Sequence, residues 1–534
     1  MATRPFPWER SYPPGVEWDV DIVPATIPQL LDTAVAAFGP RVAIRFDGRS
    51  LTFTELGHRA QLFANGLQSL GIMPGQSVAL YLPNSLTHPV AFFGALSAGA
   101  RVIHLSPLDG PRVLAHKLAD SGARTLITTA ALHENVRRLM ADGLLDAVIS
   151  DSAGSSEFLS LDQLLTASGE SAPKPAIRPS DIAVLQYTGG TTGLPKAAML
   201  THANLTAALA SYDAWFDGQQ LAAPGTERVI GVLPLFHIYA LTAVLLRHIR
   251  RGNEILLHPR FDVAAVLDDI SQRRATTFPG VPTMWIALAN HPRSGTTDFS
   301  SLRVCSSGGG PLPVDVGRRV EALIGRRLTG GWGMTETSPA GTNIAATGLT
   351  KPGTVGLPLP GIEISVVALD DPRRELPAGE TGEIRIRGLN VTSGYWNRPD
   401  ANAAAFADGW FLTGDVGYLD ADGFMFLVDR RSDMIISGGF NVYPQLIEQA
   451  VYDHPSVDEA VIIGVPDAYR GEAAKAFIKL KTGAAEFTLE ELRAFLADKV
   501  GRHELPTALE FRAELPKTAV GKLSRLTLRQ ERTN

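Results

Sequence analysis

Cysteine is nearly absent: Cys305 is the only one in 534 residues. No intramolecular disulfide can form, which fits a reducing, cytoplasmic setting. Long apolar runs are missing too. The longest uncharged apolar stretch, around Pro89 to Ala100, is too short to span a bilayer. The first residues, MATRPFPWERSYPPG, lack the apolar core of a signal peptide. Membrane contact is therefore expected to be peripheral at most. Excess positive charge is also lacking. The 49 Lys and Arg face 55 Asp and Glu, a net charge of −6, so no nucleic-acid surface is expected.

What is present is a globular composition, 45% apolar and 19% charged, with length enough for several domains. Residues 1 to 25 are rich in Pro and aromatics and are expected to wrap the surface. Thr26 caps a helix whose stripe is Ile27, Leu30, Leu31, Val35 and Phe38. AIRF, a DG turn and SLTF read as a β-hairpin. Strands and helices then alternate: VALYL, HPVAFFGALSAGA, RVIHLS and TLITT, with more of the same from residue 182 to about residue 340. Alternation of this kind implies doubly wound parallel sheets. From Thr354 to Val428 the pattern changes to short strands between Gly, Pro and Asp turns, which predicts a small antiparallel β-barrel or sheet. Beyond Arg430, about a hundred residues read as α+β with a core of their own.

The chemistry centres on Tyr187 to Lys196, YTGGTTGLPK, set between the apolar runs IAVLQ and AAML. Glycine lets backbone N–H groups approach a ligand closely. The hydroxyls of Thr188, Thr191 and Thr192 add donors, and Lys196 adds positive charge. This is a cradle for phosphate, though not a Walker A loop, because no Ser or Thr follows Lys196. A plain surface turn is the alternative.

The word resembles the phosphate loop of the adenylate-forming superfamily: acyl-CoA synthetases, luciferases and peptide-synthetase adenylation domains. Gly189 stands where that family usually has serine, and Ala197 where it has glycine. Four further words appear in the family's order. GGWGMTET (Gly330 to Thr337) resembles its second signature, SSGGGPLP (Ser306 to Pro313) its adenine-pocket segment, TGD with VDRRSD its ribose-binding words, and KTAVGKLSR (Lys517 to Arg525) its C-terminal signature. SYPPGV, FHIYAL and DRRSDMIISGGFNVYP are most similar to bacterial medium- and long-chain fatty-acyl-CoA ligases.

The resemblance implies a fold and a set of roles. The fold is α/β: an N-terminal domain over residues 1–430, made of two doubly wound α/β subdomains plus a small β-barrel, then a mobile α+β domain over 431–534. ATP would be held by Thr188, Gly189, Gly190, Thr191, Thr192, Gly193 and Lys196. Gly309, Gly310, Gly331, Trp332, Gly333, Met334 and Thr335 would complete its pocket, with Asp415 and Arg430 on the ribose. Glu336 would offer a hard oxygen to Mg²⁺. Lys522 would be the catalytic lysine, with Thr335, Glu336 and His237 beside it. A carboxylate substrate is already ionised at neutral pH, so His237 is expected to position it rather than act as a base. The acyl pocket would use His237, Val281, Met284, Trp285, Gly308 and Gly333. Gly438, Gly439 and Phe440 would meet coenzyme A, and Ser432 would be the hinge.

The implied reaction is ATP-dependent formation of an acyl-CoA from an aliphatic acid. Aryl acids, dicarboxylates, a carrier-protein thiol and a nucleotide-binding protein without turnover are the alternatives. A dicarboxylate needs Arg247, Arg250 or Arg251 to reach the tunnel; the simpler expectation is that these arginines form a solvated helix end. Asp420, Asp422 and Gly423 lack the spacing of a calcium loop and read as a hairpin turn. A homodimer is left open.

Overall fold

The computed structural model describes residues 4–152, 157–167, 174–188, 195–310, 312, 314–437, 440–467, 469–518 and 522–531. Two seven-stranded sheets make up most of it. In the first, strand order runs Leu159–Ser160, Ala147–Ser150, Thr125–Thr128, Ser77–Leu80, Arg101–His104, Ile182–Thr188, Lys196–Thr201. All neighbours are parallel except the last pair. In the second, the order is Leu328–Gly330, Val304–Ser307, Thr277–Gly280, Arg228–Gly231, Glu254–Leu257, Val42–Phe46, Arg49–Thr52. The predicted hairpin 42–52 therefore closes the edge of a sheet whose other strands begin nearly two hundred residues later.

The strands are apolar on both faces because both faces are covered. Val78 and Leu80 point into a core shared by the two sheets, together with Val229, Ile255 and Leu257. Ala79 points to the outer face of the first sheet, and Ile230 and Phe278 to that of the second. The helix Ile27–Phe38 begins with a reciprocal Thr26/Gln29 capping box. Cys305 lies buried on a strand, and burial pushes its thiol up to about 12.

Residues 363–430 form a five-stranded antiparallel sheet. Of the barrel and the sheet that the pattern allows, the open sheet is what forms: no pairing joins its first and last strands among the described residues. The Asp422–Gly423 turn links Trp410–Leu419 to Met425–Arg430, and Asp420 and Asp422 hold the Lys351 ammonium. The first residues depart from a surface wrap. Phe6 and Trp8 are buried and stacked, 4.6 Å between ring centres, in one core with this sheet. Tyr12 OH and Trp18 Nε1 donate to Pro358 and Ile362 carbonyls. Gly15, at φ +86°, lies so near Gly218 that a Cβ there would come within 2.5 Å of its carbonyl oxygen.

The C-terminal part has its own sheet, Phe440–Val442, Ile435–Ser437, Gly471–Leu480 and Val457–Asp467, with Ala508–Phe511 parallel to Gly471–Leu480. Helices Pro444–Tyr452 and Leu489–Leu496 cover it over a separate core. No described helix is long and apolar enough to cross a membrane.

Candidate active site

Open α/β sheets bind ligands beyond the carboxyl ends of their strands. Both large sheets bring those ends to one cleft. Thr188 ends Ile182–Thr188, and Lys196 opens its antiparallel partner in register with it. Residues 308–310 follow Val304–Ser307, Val281 follows Thr277–Gly280, and 331–336 follow Leu328–Gly330. Gly189, Gly190, Thr191, Thr192 and Gly193 lie outside the described residues.

The segment 330–336 is held by backbone contact. A Cβ on Gly331 would come within 2.0 Å of the Thr342 oxygen, and one on Gly333 within 1.5 Å of the Pro339 oxygen. Only glycine fits such approaches. Glu336 is buried, which pushes its carboxyl up. Its only side-chain partner among the described residues is Tyr395, whose OH donates to Oε1 at 2.7 Å. Thr392 N–H donates to the Glu336 carbonyl, and Trp396 N–H to that of Ala197. The segment 392–396 thus ties Glu336 to the strand Lys196–Thr201, and the Tyr395 ring lies 5.6 Å from Lys196 Nζ. Mg²⁺ keeps much of its water and commonly binds one carboxylate plus substrate phosphates. One buried carboxylate on the cleft wall fits that need; no cluster of three acidic, His or Cys ligands exists among the described residues.

Asp415 and Arg430 face each other across antiparallel strands, Nε to Oδ1 at 3.3 Å. Trp332 Nε1 donates to Asp415 Oδ2 at 2.7 Å, fixing the carboxylate from the other sheet. Met334 and Thr335 also line the cleft. His237 sits on the loop after Arg228–Gly231, which Asn84 pins through the Leu233 carbonyl and the Leu235 N–H. Gln186 donates to the Phe236 carbonyl. The His237 Nδ1 accepts from Tyr239 N–H at 3.2 Å, which leaves Nε2 as the donor. Burial, helped by Lys522, lowers its pKa to about 3, so the ring is neutral.

Lys522 enters the cleft from the C-terminal part. A Cβ on Gly309 would lie 2.8 Å from its Cε, and Gly309 has φ +81°. Burial, then Arg430, lowers its pKa to about 8, while Asp415 pulls it upward. The ammonium makes no hydrogen bond to a described residue.

Other residues fall elsewhere. Phe440 is 59% exposed, packed at a tilt against His503, and off the cleft wall. Gly438 and Gly439 lie outside the described residues. Ser432 is exposed, and its carbonyl accepts from Arg529. Met284 and Trp285 correct the expected acyl pocket. On the helix Pro282–Asn290 Trp285 is fully buried in the outer core and bonded to the Ser306 carbonyl, while half-buried Met284 packs between the outer and central cores, and neither lines the cleft. Pro282, Thr283, Ile286 and Asn290 take the cleft side instead. Helical periodicity decides this, not apolarity. The arginines correct the solvated helix end: Arg247 and Arg251 are each 6% exposed, and Arg247 lines the cleft. Tyr395 was not foreseen, because nothing local in GYWNRP points to a carboxylate 59 residues away.

The geometry is that of an enzyme that handles a nucleotide and an acid together, and the comparisons agree. Residues 31–396 match the AMP-binding enzyme family, and residues 446–522 its C-terminal domain. The chain is 38% identical, over 99% of its length and 98% of the relative's, to the long-chain-fatty-acid–CoA ligase of Bacillus subtilis (strain 168). It is 39% identical, over 90% and 94%, to a feruloyl-CoA synthase of Amycolatopsis sp.. Among solved structures, ATP-bound MatB from Rhodopseudomonas palustris superposes with a TM-score of 0.87 at 28% identity, covering 96% and 99% of the two chains. The chain belongs to the AMP-binding, adenylate-forming enzyme family.

Proposed function

We propose that the chain is an AMP-forming acyl-CoA ligase for aliphatic carboxylic acids, using ATP, Mg²⁺ and coenzyme A. The observation that carries this is the insertion of Lys522 between Gly309 and the Asp415–Arg430 pair. The relatives named long-chain-fatty-acid–CoA ligases support the aliphatic acid.

In the first step a carboxylate oxygen attacks the α-phosphorus of ATP, and pyrophosphate leaves. The neutral His237 donates from Nε2 to hold the carboxylate. Thr335 and Lys522 supply a donor and a charge to the negative oxygens that develop on phosphorus. Asp415 accepts from the ribose, held by Trp332 and Arg430. Glu336 would hold Mg²⁺, which, when bound, would supply charge to neutralise the phosphates. In the second step the coenzyme A sulfur attacks the acyl carbon and AMP leaves with the bonding pair. Phe440, with Gly438 and Gly439, meets coenzyme A after the domain 431–534 turns about Ser432 relative to 1–430. In the first-step arrangement Lys522 is in the cleft and Phe440 is outside it. That opposition supports alternation between the two.

A cytoplasmic location is part of this reading, supported by the lone buried Cys305; peripheral membrane contact and a homodimer are compatible with it. A second reading, an aryl acid as substrate, is favoured by the feruloyl-CoA synthase relative. Pyrophosphate release and thioester formation across straight-chain acids from acetate to palmitate, dicarboxylates and benzoate separate the two. Thioester with an aliphatic acid is expected. Thioester with benzoate alone overturns the aliphatic reading.

A further inference from the structure

The far end of the acyl path is polar. Thr277, Val304 and Leu328 begin the strands whose other ends carry the reacting centre, yet they line the same cavity. The path therefore runs the length of those strands, roughly 10 Å at about 3.3 Å per residue. Across from them Tyr239, Ala243 and Arg247 follow one another at helical spacing down the same cavity. Eight residues there rise by at most about 12 Å.

Arg247 forms the floor. It is 6% exposed, with the Phe216 ring 4.3 Å from its guanidinium carbon. Its one ionic partner among the described residues, Asp213, is shared with Arg250 and Arg251, at 3.4, 3.3 and 3.6 Å respectively. Arg247 Nε and Asp213 Oδ1 are both buried without a hydrogen bond. Neither Nη group of Arg247 donates to a described residue, and nor does the hydroxyl of Tyr212, which lines the same floor and feels the Arg247 charge. The three arginines are matched by Asp213, Asp217 and Glu227. The floor thus presents unused donors, the Arg247 Nη groups and the Tyr212 hydroxyl, next to the carboxylate oxygen Asp213 Oδ1, which is also without a hydrogen bond. Unused donors in a cavity wall favour a ligand that brings an acceptor.

Taking the ligase reading above as its basis, we propose that this floor binds an oxygen at the far end of the substrate: the ω-hydroxyl or ω-carboxylate of a medium-length aliphatic acid. Carbon–carbon bonds of about 1.5 Å at about 111° advance roughly 1.25 Å each, so an acid of about eight to ten carbons spans the path.

The test is steady-state thioester formation with decanoate, ω-hydroxydecanoate and decanedioate. Wild type is expected to favour at least one oxygenated acid over decanoate by about tenfold in kcat/KM. Arg247→Met, which leaves Asp213 with two arginines, should raise KM for that acid about tenfold with kcat little changed and decanoate unaffected. Arg247→Lys should recover part of the loss. Tyr212→Phe, which keeps the ring, should shift the preference the same way even if Arg247→Met folds poorly. Preference for decanoate over both oxygenated acids, or equal losses on all three in the variants, overturns the floor and leaves the ligase reading standing. No thioester from any acid overturns both.

Discussion

The cleft is walled by residues that hold one another and entered by one whose ammonium no described residue holds. On the wall, Glu336 is fixed by Tyr395, Asp415 by Trp332, and the His237 loop by Asn84 and Gln186. Glycines at 331 and 333 lock the backbone behind them. Lys522 instead sits where the Thr518 N–H donates to its carbonyl and the Ser524 N–H to the Pro516 carbonyl. Three residues on, Arg525 is tied to Asp429 and Asp433, on either side of Ser432, and to Glu448. Preorganised donors aid the reaction only if they stay in place. A lysine needed in one step only has to be able to leave. The wall meets the first requirement, and the proposed turning of the lysine's segment would meet the second.

The anchor gives the largest expected effect. Arg525→Ala removes the shared cation of three largely buried carboxylates, of which Asp433 keeps Arg529, and should cost about 3–5 kcal/mol in the stability of the C-terminal part, read from urea unfolding. A loss under about 1 kcal/mol would mean the ties are solvated. Next is the wall. Glu336→Gln should lower pyrophosphate release by roughly 10²–10³-fold at fixed Mg²⁺, and excess Mg²⁺ should recover only part of it. Tyr395→Phe keeps the carboxylate and removes its one donor, so about tenfold is expected. If that variant equals Glu336→Gln, Tyr395 does more than orient. The pH response is the mildest effect. Lys522 acts as its cation, and burial holds its pKa near about 8. Its contribution is therefore full below that value and is lost as pH rises through it. Lys522→Arg should move this limb upward, because a guanidinium keeps its charge. His237, neutral above about 3, should add no limb between neutral pH and that point.

Much of this was legible in the sequence, because backbone-level constraints leave words. The strand pair 182–201, the glycines around Trp332 and the alternation of strand and helix follow from local chemistry. Side-chain direction does not. Trp285 looked like acyl pocket because it is apolar, and it is core because of its place on a helix turn. Arg247 and Arg251 looked like a solvated end, since nothing nearby announces Asp213, more than thirty residues earlier. Tyr395 reaches Glu336, and hairpin 42–52 joins its sheet, through contacts far apart in the chain. The first residues hid a buried Trp8 behind a proline-rich composition.

The most direct test is Lys522→Ala with the half-reactions assayed apart. Pyrophosphate release from ATP and decanoate reports the first, and thioester formation from synthetic decanoyl-AMP and coenzyme A the second. The account predicts a loss of roughly 10²–10³-fold in the first and a near-normal rate in the second. Equal losses in both would contradict a lysine that serves one step and then leaves.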